Sequence, residues 1–284
     1  MQHELNDNAP CGLGDKSGMT GRFANNYFDG IRVRGIHALL FFIIMAAYFF
    51  EQFDNWNFGF IAPALAQSWG LKPTDIATIL FWYFIGMTSG GFLGGVISDF
   101  IGRRPTFLIS IVIFSVSSVI TGFTDNFVIF TIFRALTGFG VFCMMVTSQA
   151  YIAEMAPCES RGMWQGRVAA IGFCAVPVVA LICRMVIPMA DEAWRFIFYA
   201  GGLGIVPFVL GLKYLKESPR WLVAHGRIRE AEEVVRYLTG KDIDLSEAAK
   251  SVQPKIAVTD VLVGMFTRRY IGRTLLLMLL FVAT

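Results

Sequence analysis

The stretch GGVISDFIGRRP, residues 94–105, combines one aspartate, two adjacent arginines and three glycines in a largely apolar chain. Apolar runs over residues 76–98 and 105–123 lie on either side of it. Each run has about the 20 residues that a helix needs to cross a lipid bilayer. The stretch is therefore predicted to be a tight, charged turn between two membrane spans.

The composition of the whole chain is typical of a membrane protein. Its 284 residues are 55% hydrophobic and 16% charged, whereas soluble domains are about 25% charged. The net charge of +3 is too small and too dispersed for a nucleic-acid-binding protein. Five cysteines show neither paired nor metal-like spacing, so we expect no disulfide, no metal and no cofactor. No hydrolase or metalloprotease motif is present, so we expect no enzyme.

The apolar runs predict an all-α membrane protein. Six runs are expected to span, at residues 37–66, 76–98, 105–123, 127–153, 163–188 and 195–214. A seventh run begins near residue 271 and reaches Thr284 while still apolar, so we expect a chain truncated within that span. The predicted organisation is a cytoplasmic tail (1–36), a six-helix bundle (37–214), a cytoplasmic connector (215–270) and a partial seventh helix (271–284).

Lysine and arginine positions predict the orientation. Basic residues lie in the N-terminal tail, in the second and fourth connections and after the sixth run, so these parts are expected to be cytoplasmic. Within the long connector, GRIREAEEVVRYLTG at residues 226–240 alternates apolar and charged residues at helical spacing. We expect an amphipathic helix there, lying against the cytoplasmic face.

Polar residues inside the first run are candidates for function, because charge within a span is rare and costly. The segment EQFDNWN, residues 51–57, places Glu51, Asp54 and Asn55 on roughly one helical face, with Asn57 near Asp54. One interpretation is a kinked helix start or a buried structural network. The other is a cavity lining that contacts a substrate or a proton, since burial and a nearby cation act on an aspartate in opposite directions.

Two arginines lie within later runs. Arg134 is well inside the fourth run, so we expect a carboxylate from a neighbouring helix to pair with it. Arg184 lies near the outer end of the fifth run, where it is able to extend to the interface or to bind an anionic substrate. In the second run, Gly86, Gly90, Gly94 and Ser98 recur every four residues, which predicts a close helix contact, either static or part of a rocking bundle.

Several motifs resemble those of the major facilitator superfamily. GGVISDFIGRRP resembles the loop between its second and third helices, although Phe100 replaces a usual basic residue. RALTGFGVF (134–142), YIAEMAPCESRG (151–162) and ESPRWLVAHGRIREAEEVV (217–235) are similar to segments of the sugar-porter and metabolite:proton symporter branches. Phe142 and Lys216 depart from those patterns, and residues 168–185 lack the glutamine with which sugar porters contact hexose.

This resemblance implies the N-terminal half of a twelve-span transporter in the inner membrane, a monomer when full length, working by alternating access. It implies proton coupling at Asp54 and Arg134. From the polar residues within the spans themselves, we expect Glu51 to take part in the coupling, and Asp54, Asn55, Asn57 and Arg184 to bind substrate. The resemblance also implies an inner-gate network of Gly95, Asp99, Gly102, Arg103, Arg104, Glu154, Arg161, Glu217 and Arg220. The expected substrate is a small polar metabolite, an organic acid in preference to a sugar; an uncoupled facilitator or exchanger and a non-transporting fragment or sensor are the alternatives.

Overall fold

A computed structural model describes residues 35–240, together with Phe28, Val33, Leu245, Ile271 and Gly272. The chain divides into two compact units, residues 1–249 and 250–284. The two described residues of the second unit are helical. The predicted cytoplasmic tail and most of the predicted seventh span lie outside the described residues.

The described residues of the first unit form an all-α bundle. Its helices are α1 (Ile36–Trp69), α2 (Pro73–Ile101), α3 (Arg103–Phe123), α4 (Phe127–Met155), α5 (Arg161–Phe173), α6 (Ala175–Val186), α7 (Arg195–Gly201), α8 (Ile205–Tyr214), α9 (Pro219–Ala224) and α10 (Ile228–Thr239). Six segments are long and apolar enough to cross a membrane, which confirms the six predicted spans. Helices α1 to α4 supply one span each, α5 and α6 form the fifth, and α7 and α8 form the sixth.

Prolines account for the interruptions in the fifth and sixth spans. A proline inside a helix has no N–H for the carbonyl four residues earlier, and its ring crowds that carbonyl. Pro177 lies four residues after Phe173, where α5 ends, and Pro207 lies four residues after Leu203, in the 3-10 turn before α8. In contrast, α1 continues through Pro63 without a break.

Helices α2 and α4 approach closely along the predicted glycine ridge. A Cβ atom on Gly86 would lie 1.9 Å from the Ala135 carbonyl oxygen, and one on Gly90 would lie 2.2 Å from that of Phe139. Neither position therefore has room for a side chain unless the helices separate. The close contact fixes α2 against α4, and this places residues of both helices around the buried charges described below.

Gly95, which the resemblance places in the inner-gate network, does not belong to this close contact. A Cβ at Gly95 would meet only Val146, at an ordinary distance of 3.9 Å. Gly95 lies at the margin of the α2–α4 contact, beside the face of α2 that leaves Phe81, Phe84 and Phe92 more than half exposed. The packing of the described residues therefore gives no reason for a glycine at position 95.

The bundle has two apolar clusters, one toward each end. The cluster at the end containing Gly102 and Met155, here called the Arg103 end, includes the buried face of α10. Ala231, Val234, Val235 and Leu238 form that face, which confirms the predicted amphipathic helix. The second cluster lies toward the end containing Thr124 and Arg195, here called the Arg195 end. The buried charges lie beside this second cluster.

Candidate functional site

A fully buried ion pair joins α1 and α4. Oδ2 of Asp54 lies 3.3 Å from Nη1 of Arg134, and neither side chain is exposed. The other carboxylate oxygen of Asp54 accepts hydrogen bonds from Asn57 Nδ2, at 3.1 Å, and from the Ser118 hydroxyl on α3. Ionised groups survive in such surroundings only when they are paired and hydrogen-bonded. Three helices thus supply the partners of one carboxylate.

Aromatic rings enclose the guanidinium group of Arg134. Its Cζ lies 4.6 Å from the ring centre of Tyr83, 5.2 Å from that of Phe58 and 5.4 Å from that of Phe198. Each ring presents electron density to the cation and excludes water from it. The rings come from α2, α1 and α7, so the cation holds four helices together once α4 is included.

Glycines make room for this cluster. A Cβ on Gly201 of α7 would lie 2.8 Å from Asp54 Oδ1 and 2.7 Å from Ser118 Oγ. A Cβ on Gly138 of α4 would lie 2.5 Å from the Tyr83 carbonyl oxygen. The absence of side chains at these two positions therefore allows α7 and α2 to approach the ion pair.

Several buried polar atoms of the site have no hydrogen-bond partner among the described residues. They are Nε and Nη2 of Arg134, Oδ1 of Asn57 and Oε1 of Glu51. Glu51 is fully buried, and its Oε2 accepts a hydrogen bond of 3.2 Å from Gln52. Buried donors and acceptors are normally satisfied, so this part of the bundle has unused capacity for hydrogen bonding.

The remaining predicted binding residues lie in different surroundings. Asn55 is half-buried and accepts a hydrogen bond of 2.8 Å from the Tyr83 hydroxyl, so it is connected to the ring over Arg134. Arg184 is exposed on α6 and forms no ion pair within residues 35–240. The structure therefore brings Asn55 and Asn57 to the site but not Arg184.

Among the polar side chains of the site, Ser118 and Tyr83 were not predicted from the sequence. A signal for Ser118 is present in α3, which carries a run of buried hydroxyl side chains on one face: Ser110, Ser117, Ser118 and Thr121. Such a polar face in a span marks a helix contact. We see no sequence signal that separates Tyr83 from the other aromatic residues of α2, because its position over Arg134 depends on the α2–α4 contact.

A second ion cluster lies at the Arg103 end. Nε and Nη2 of Arg103 donate to the Glu154 carboxylate, with Nη2 at 3.1 Å from Oε1 and Nε at 3.3 Å from both oxygens. Nη1 of Arg103 donates to Ser98 Oγ, at 2.7 Å, and to Asp99. One guanidinium group thereby ties the end of α2 to the end of α4, across the start of α3.

Glu217 caps the start of α3. Its carboxylate accepts from the backbone N–H groups of Arg103, at 2.9 Å, of Arg104, at 3.2 Å, and of Ser218, at 2.8 Å. The first N–H groups of a helix have no partner within it, and Gly102 has no side chain to serve them. Gly102 has φ of 109°, and a Cβ there would lie 2.2 Å from Glu217 Oε2. Burial raises the pKa of the Glu217 carboxyl, while the backbone donors act in the opposite direction.

Two predicted members of the inner-gate network are not part of this cluster. Arg161 lies seven residues after Glu154 in the sequence and was expected to pair with it in the inner-gate network, but Glu154 is paired with Arg103 instead. Arg161 forms no ion pair within the described part of the chain, and neither does Arg220, which is exposed on α9. The packing of α3 against α4 brings Arg103 to Glu154, and this contact takes the place expected for Arg161.

A third cluster, at the Arg195 end, was not predicted. Arg195 donates from Nη1 to the Gly122 and Thr124 carbonyl oxygens, both at 3.0 Å, and from Nε to Glu192, also at 3.0 Å. It also pairs with Asp125. Gly122 and Thr124 lie at the end of α3, where carbonyl groups lack helical partners. Arg195 therefore fastens the start of the sixth span to the end of the third.

Metal-ligating clusters are absent from the residues that the structure describes. Cys143, Cys174 and Cys183 are free. Cys158, in contrast, is disulfide-bonded, which contradicts the expectation of no disulfide. That expectation rested on spacing along the chain, which does not show which cysteines the fold brings together.

The described residues combine six candidate membrane spans with an ion pair buried between helices. The family model described as "Sugar (and other) transporter" matches residues 40–284. The chain therefore belongs to this family of the major facilitator superfamily, as its motifs predicted. It is a multi-pass membrane protein.

Individual relatives support the same assignment. The chain is 31% identical over 237 residues to the putative metabolite transport protein YyaJ of Bacillus subtilis, covering 83% of this chain and 52% of that protein. It is 26% identical to the niacin transporter NiaP of Acinetobacter baylyi, covering 74% of this chain and 47% of that protein. The chain thus spans about half the length of these relatives.

A solved structure shows the same fold. The proton:xylose symporter XylE superposes on this chain with a TM-score of 0.65 and 23% sequence identity, over 76% of this chain and 52% of XylE. A partially occluded, inward-open form of XylE from E. coli gives a TM-score of 0.63 and covers 60% of that chain. The bundle is therefore similar to half of a major facilitator transporter.

Proposed function

We propose that this chain forms the N-terminal half of a proton-coupled transporter, which moves a small organic acid across the inner membrane by alternating access. The observation that carries the proposal is the Asp54–Arg134 pair, fully buried between four helices. A group that changes its charge there changes the balance of the contacts that hold those helices together. The relatives named above include transporters of niacin and of xylose. We propose an organic acid as the substrate in preference to a sugar.

In this mechanism, Asp54 alternates between two states. Ionised Asp54 neutralises Arg134 and draws α1, α3 and α4 together through its hydrogen bonds. Protonation removes the negative charge and leaves Arg134 without a counter-charge. Because an unpaired buried cation is strongly unfavourable, the protonated state favours substrate binding or helix rearrangement. Glu51, one turn earlier on the same helix, is the second titratable group of the pathway.

The proposal places the Arg103 end in the cytoplasm, together with the N-terminus. Basic residues concentrate at this end, as cytoplasmic loops require. Here Arg103, Glu154 and Glu217 tie three helix ends together. These contacts act as one half of an inner gate, which closes the cytoplasmic side and breaks when that side opens. The proposed protein works as a monomer with both halves present.

Uptake into proteoliposomes tests the proposal. The full-length protein is expected to accumulate labelled organic acid when the outside is made acidic, and an ionophore that collapses the proton gradient is expected to stop the accumulation. Uptake that is the same with and without the gradient would instead favour an uncoupled facilitator or exchanger. The 284-residue chain, assayed beside a form with both halves, shows whether half a pathway transports anything.

A further inference from the structure

The guanidinium group of Arg134 has one unused edge. Nη1 contacts Asp54, whereas Nε and Nη2 have no hydrogen-bond partner among the described residues. The N–H groups of Nε and Nη2 point in the same direction and form the fork that grips a carboxylate with two parallel hydrogen bonds. Arg134 is therefore paired through a single nitrogen, and its bidentate edge is free.

The same chain shows how such an edge is filled. Arg103 presents Nε and Nη2 to the two oxygens of Glu154, within 3.1–3.3 Å. Arg103 and Glu154 lie at the end of the bundle, where they are partly accessible. Arg134 has no exposure at all, so an unpaired edge costs more there than it would at Arg103.

Rings of Tyr83, Phe58 and Phe198 lie around the guanidinium group of Arg134, and its Nε/Nη2 edge is buried beside them without a partner among the described residues. Asn57 Oδ1 also lacks a partner, and Asn57 is bound to Asp54 through its other amide atom. The site thus offers a pair of donors for a carboxylate and one acceptor for a hydroxyl or N–H group of the same ligand.

We propose that the Nε/Nη2 edge of Arg134 binds the carboxylate of the transported substrate. This assignment rests on the proposed function and names the substrate class as monocarboxylates. The charged and titratable groups around Asp54 are Glu51 on α1, Tyr83 on α2 and Arg134 on α4. When Asp54 takes up a proton from the outer solution, Arg134 keeps one uncompensated positive charge, and one carboxylate balances it. One proton and one monocarboxylate therefore move together, with no net charge.

Binding to the purified full-length protein tests this assignment with matched probes. Nicotinate is compared with nicotinamide and benzoate with benzamide, because each pair shares a ring and differs only in its carboxylate. Thermal shift and tryptophan fluorescence report binding. We expect the carboxylates to bind at least about tenfold tighter than the amides, as expected for charge-assisted hydrogen bonds. We also expect wild-type affinity for nicotinate to fall as the pH rises, because ionised Asp54 competes for Arg134.

Three variants sharpen the test. Asp54→Asn leaves Arg134 without its counter-charge, so nicotinate is expected to bind about tenfold tighter than to the wild type and to lose its pH dependence. Arg134→Lys keeps the charge but has no bidentate edge, so affinity is expected to fall at least about tenfold. Arg184→Gln is the control, and its affinity for nicotinate is expected to remain that of the wild type.

Equal binding of carboxylates and amides, or no binding by either, overturns the assignment. So does an Arg184→Gln variant that loses nicotinate binding while Arg134→Lys retains it. If Asp54→Asn fails to fold, the wild-type pH dependence alone decides. Proton-driven uptake of a neutral sugar would leave the proposed coupling intact and refute only the carboxylate site. Carboxylate binding without proton-driven uptake would refute the coupling and leave the site.

Discussion

Asp54 and Arg134 are stabilised by the groups around them as well as by their contact with each other. Taking two charges out of water costs several kcal/mol for each ion, and a single contact of 3.3 Å does not recover that. Hydrogen bonds from Asn57 and Ser118 offset part of the desolvation cost of the carboxylate. The three aromatic rings offset part of the desolvation cost of the cation. The hydrogen bond from Ser118 is the simplest of these contributions to remove.

Ser118→Ala is expected to lower the free energy of unfolding by about 1.5–3 kcal/mol, the usual range for a hydrogen bond to a charged group. Ser115→Ala is a matched control on the same helix, because Ser115 is also buried but its hydroxyl has no partner among the described residues. Its stability is expected to change by less than about 0.5 kcal/mol. Thermal unfolding in detergent compares the two, and equal losses would contradict the role given to Ser118.

Among the structural elements, α3 depends on residues from elsewhere at both of its ends. Glu217 accepts hydrogen bonds from its first N–H groups, and Arg195 donates hydrogen bonds to its last carbonyl groups. Neither Glu217 nor Arg195 belongs to α3 or to the segments next to it in the sequence. The cap at the first end also explains the glycine of the GRR turn, since the Glu217 carboxylate occupies the space that a side chain on Gly102 would need.

Gly102→Ala is expected to destabilise the protein for two reasons, a positive φ and a clash with Glu217. Gly226→Ala isolates the first reason, because Gly226 also has positive φ, 75°, but has nothing within 4 Å of the added Cβ. We expect Gly226→Ala to cost about 1 kcal/mol and Gly102→Ala to cost at least about 2 kcal/mol more. Equal shifts in the thermal midpoint would show that Glu217 does not occupy this space.

The Glu217 cap is expected to depend on pH. Because burial raises the pKa of Glu217 in the folded state above its ordinary value of 4.5, folding favours the protonated form. The contribution of Glu217 to stability is therefore full below that value and is lost as the pH rises through the folded-state pKa. Thermal unfolding across this range should show the advantage of the wild type over Glu217→Gln shrinking as the pH increases.

Glu230 is the control with the opposite sign. Its hydrogen bond with Arg227 lowers the pKa of the Glu230 carboxyl. The contribution of Glu230 is thus present above its ordinary pKa and is lost as the pH falls through the lowered value. If Glu217→Gln and Glu230→Gln shift in the same direction with pH, the buried cap is not the source of the effect.

The sequence predicted the spans and the central pair because both depend on local information. Asp54 and Arg134 are charged residues within apolar runs, and charged residues within membrane spans usually pair with each other. The partners at the Arg103 end were predicted less well. Arg161 was assigned to Glu154 because it lies seven residues away in the sequence, whereas the actual partner, Arg103, lies 51 residues away and reaches Glu154 through helix packing.

At the scale of the whole molecule, ionic clusters lie at three levels along the bundle. One is at the Arg103 end, one at the Arg195 end, and the fully buried pair of Asp54 and Arg134 lies between them. The outer two fasten helix ends, and the inner one is sealed from water. In the proposed mechanism, this sealed pair carries a proton across the membrane while the two ends open in turn. The proposed proton coupling therefore depends on the middle cluster.

The most direct test measures acid uptake and proton uptake together, in proteoliposomes that contain the full-length protein and a pH-sensitive dye. In the wild type, each carboxylate that enters is expected to bring about one proton, since the two charges balance at Arg134. Asp54→Asn is expected to exchange labelled for unlabelled carboxylate across the membrane without moving protons. Proton-driven accumulation that persists in Asp54→Asn would contradict the account.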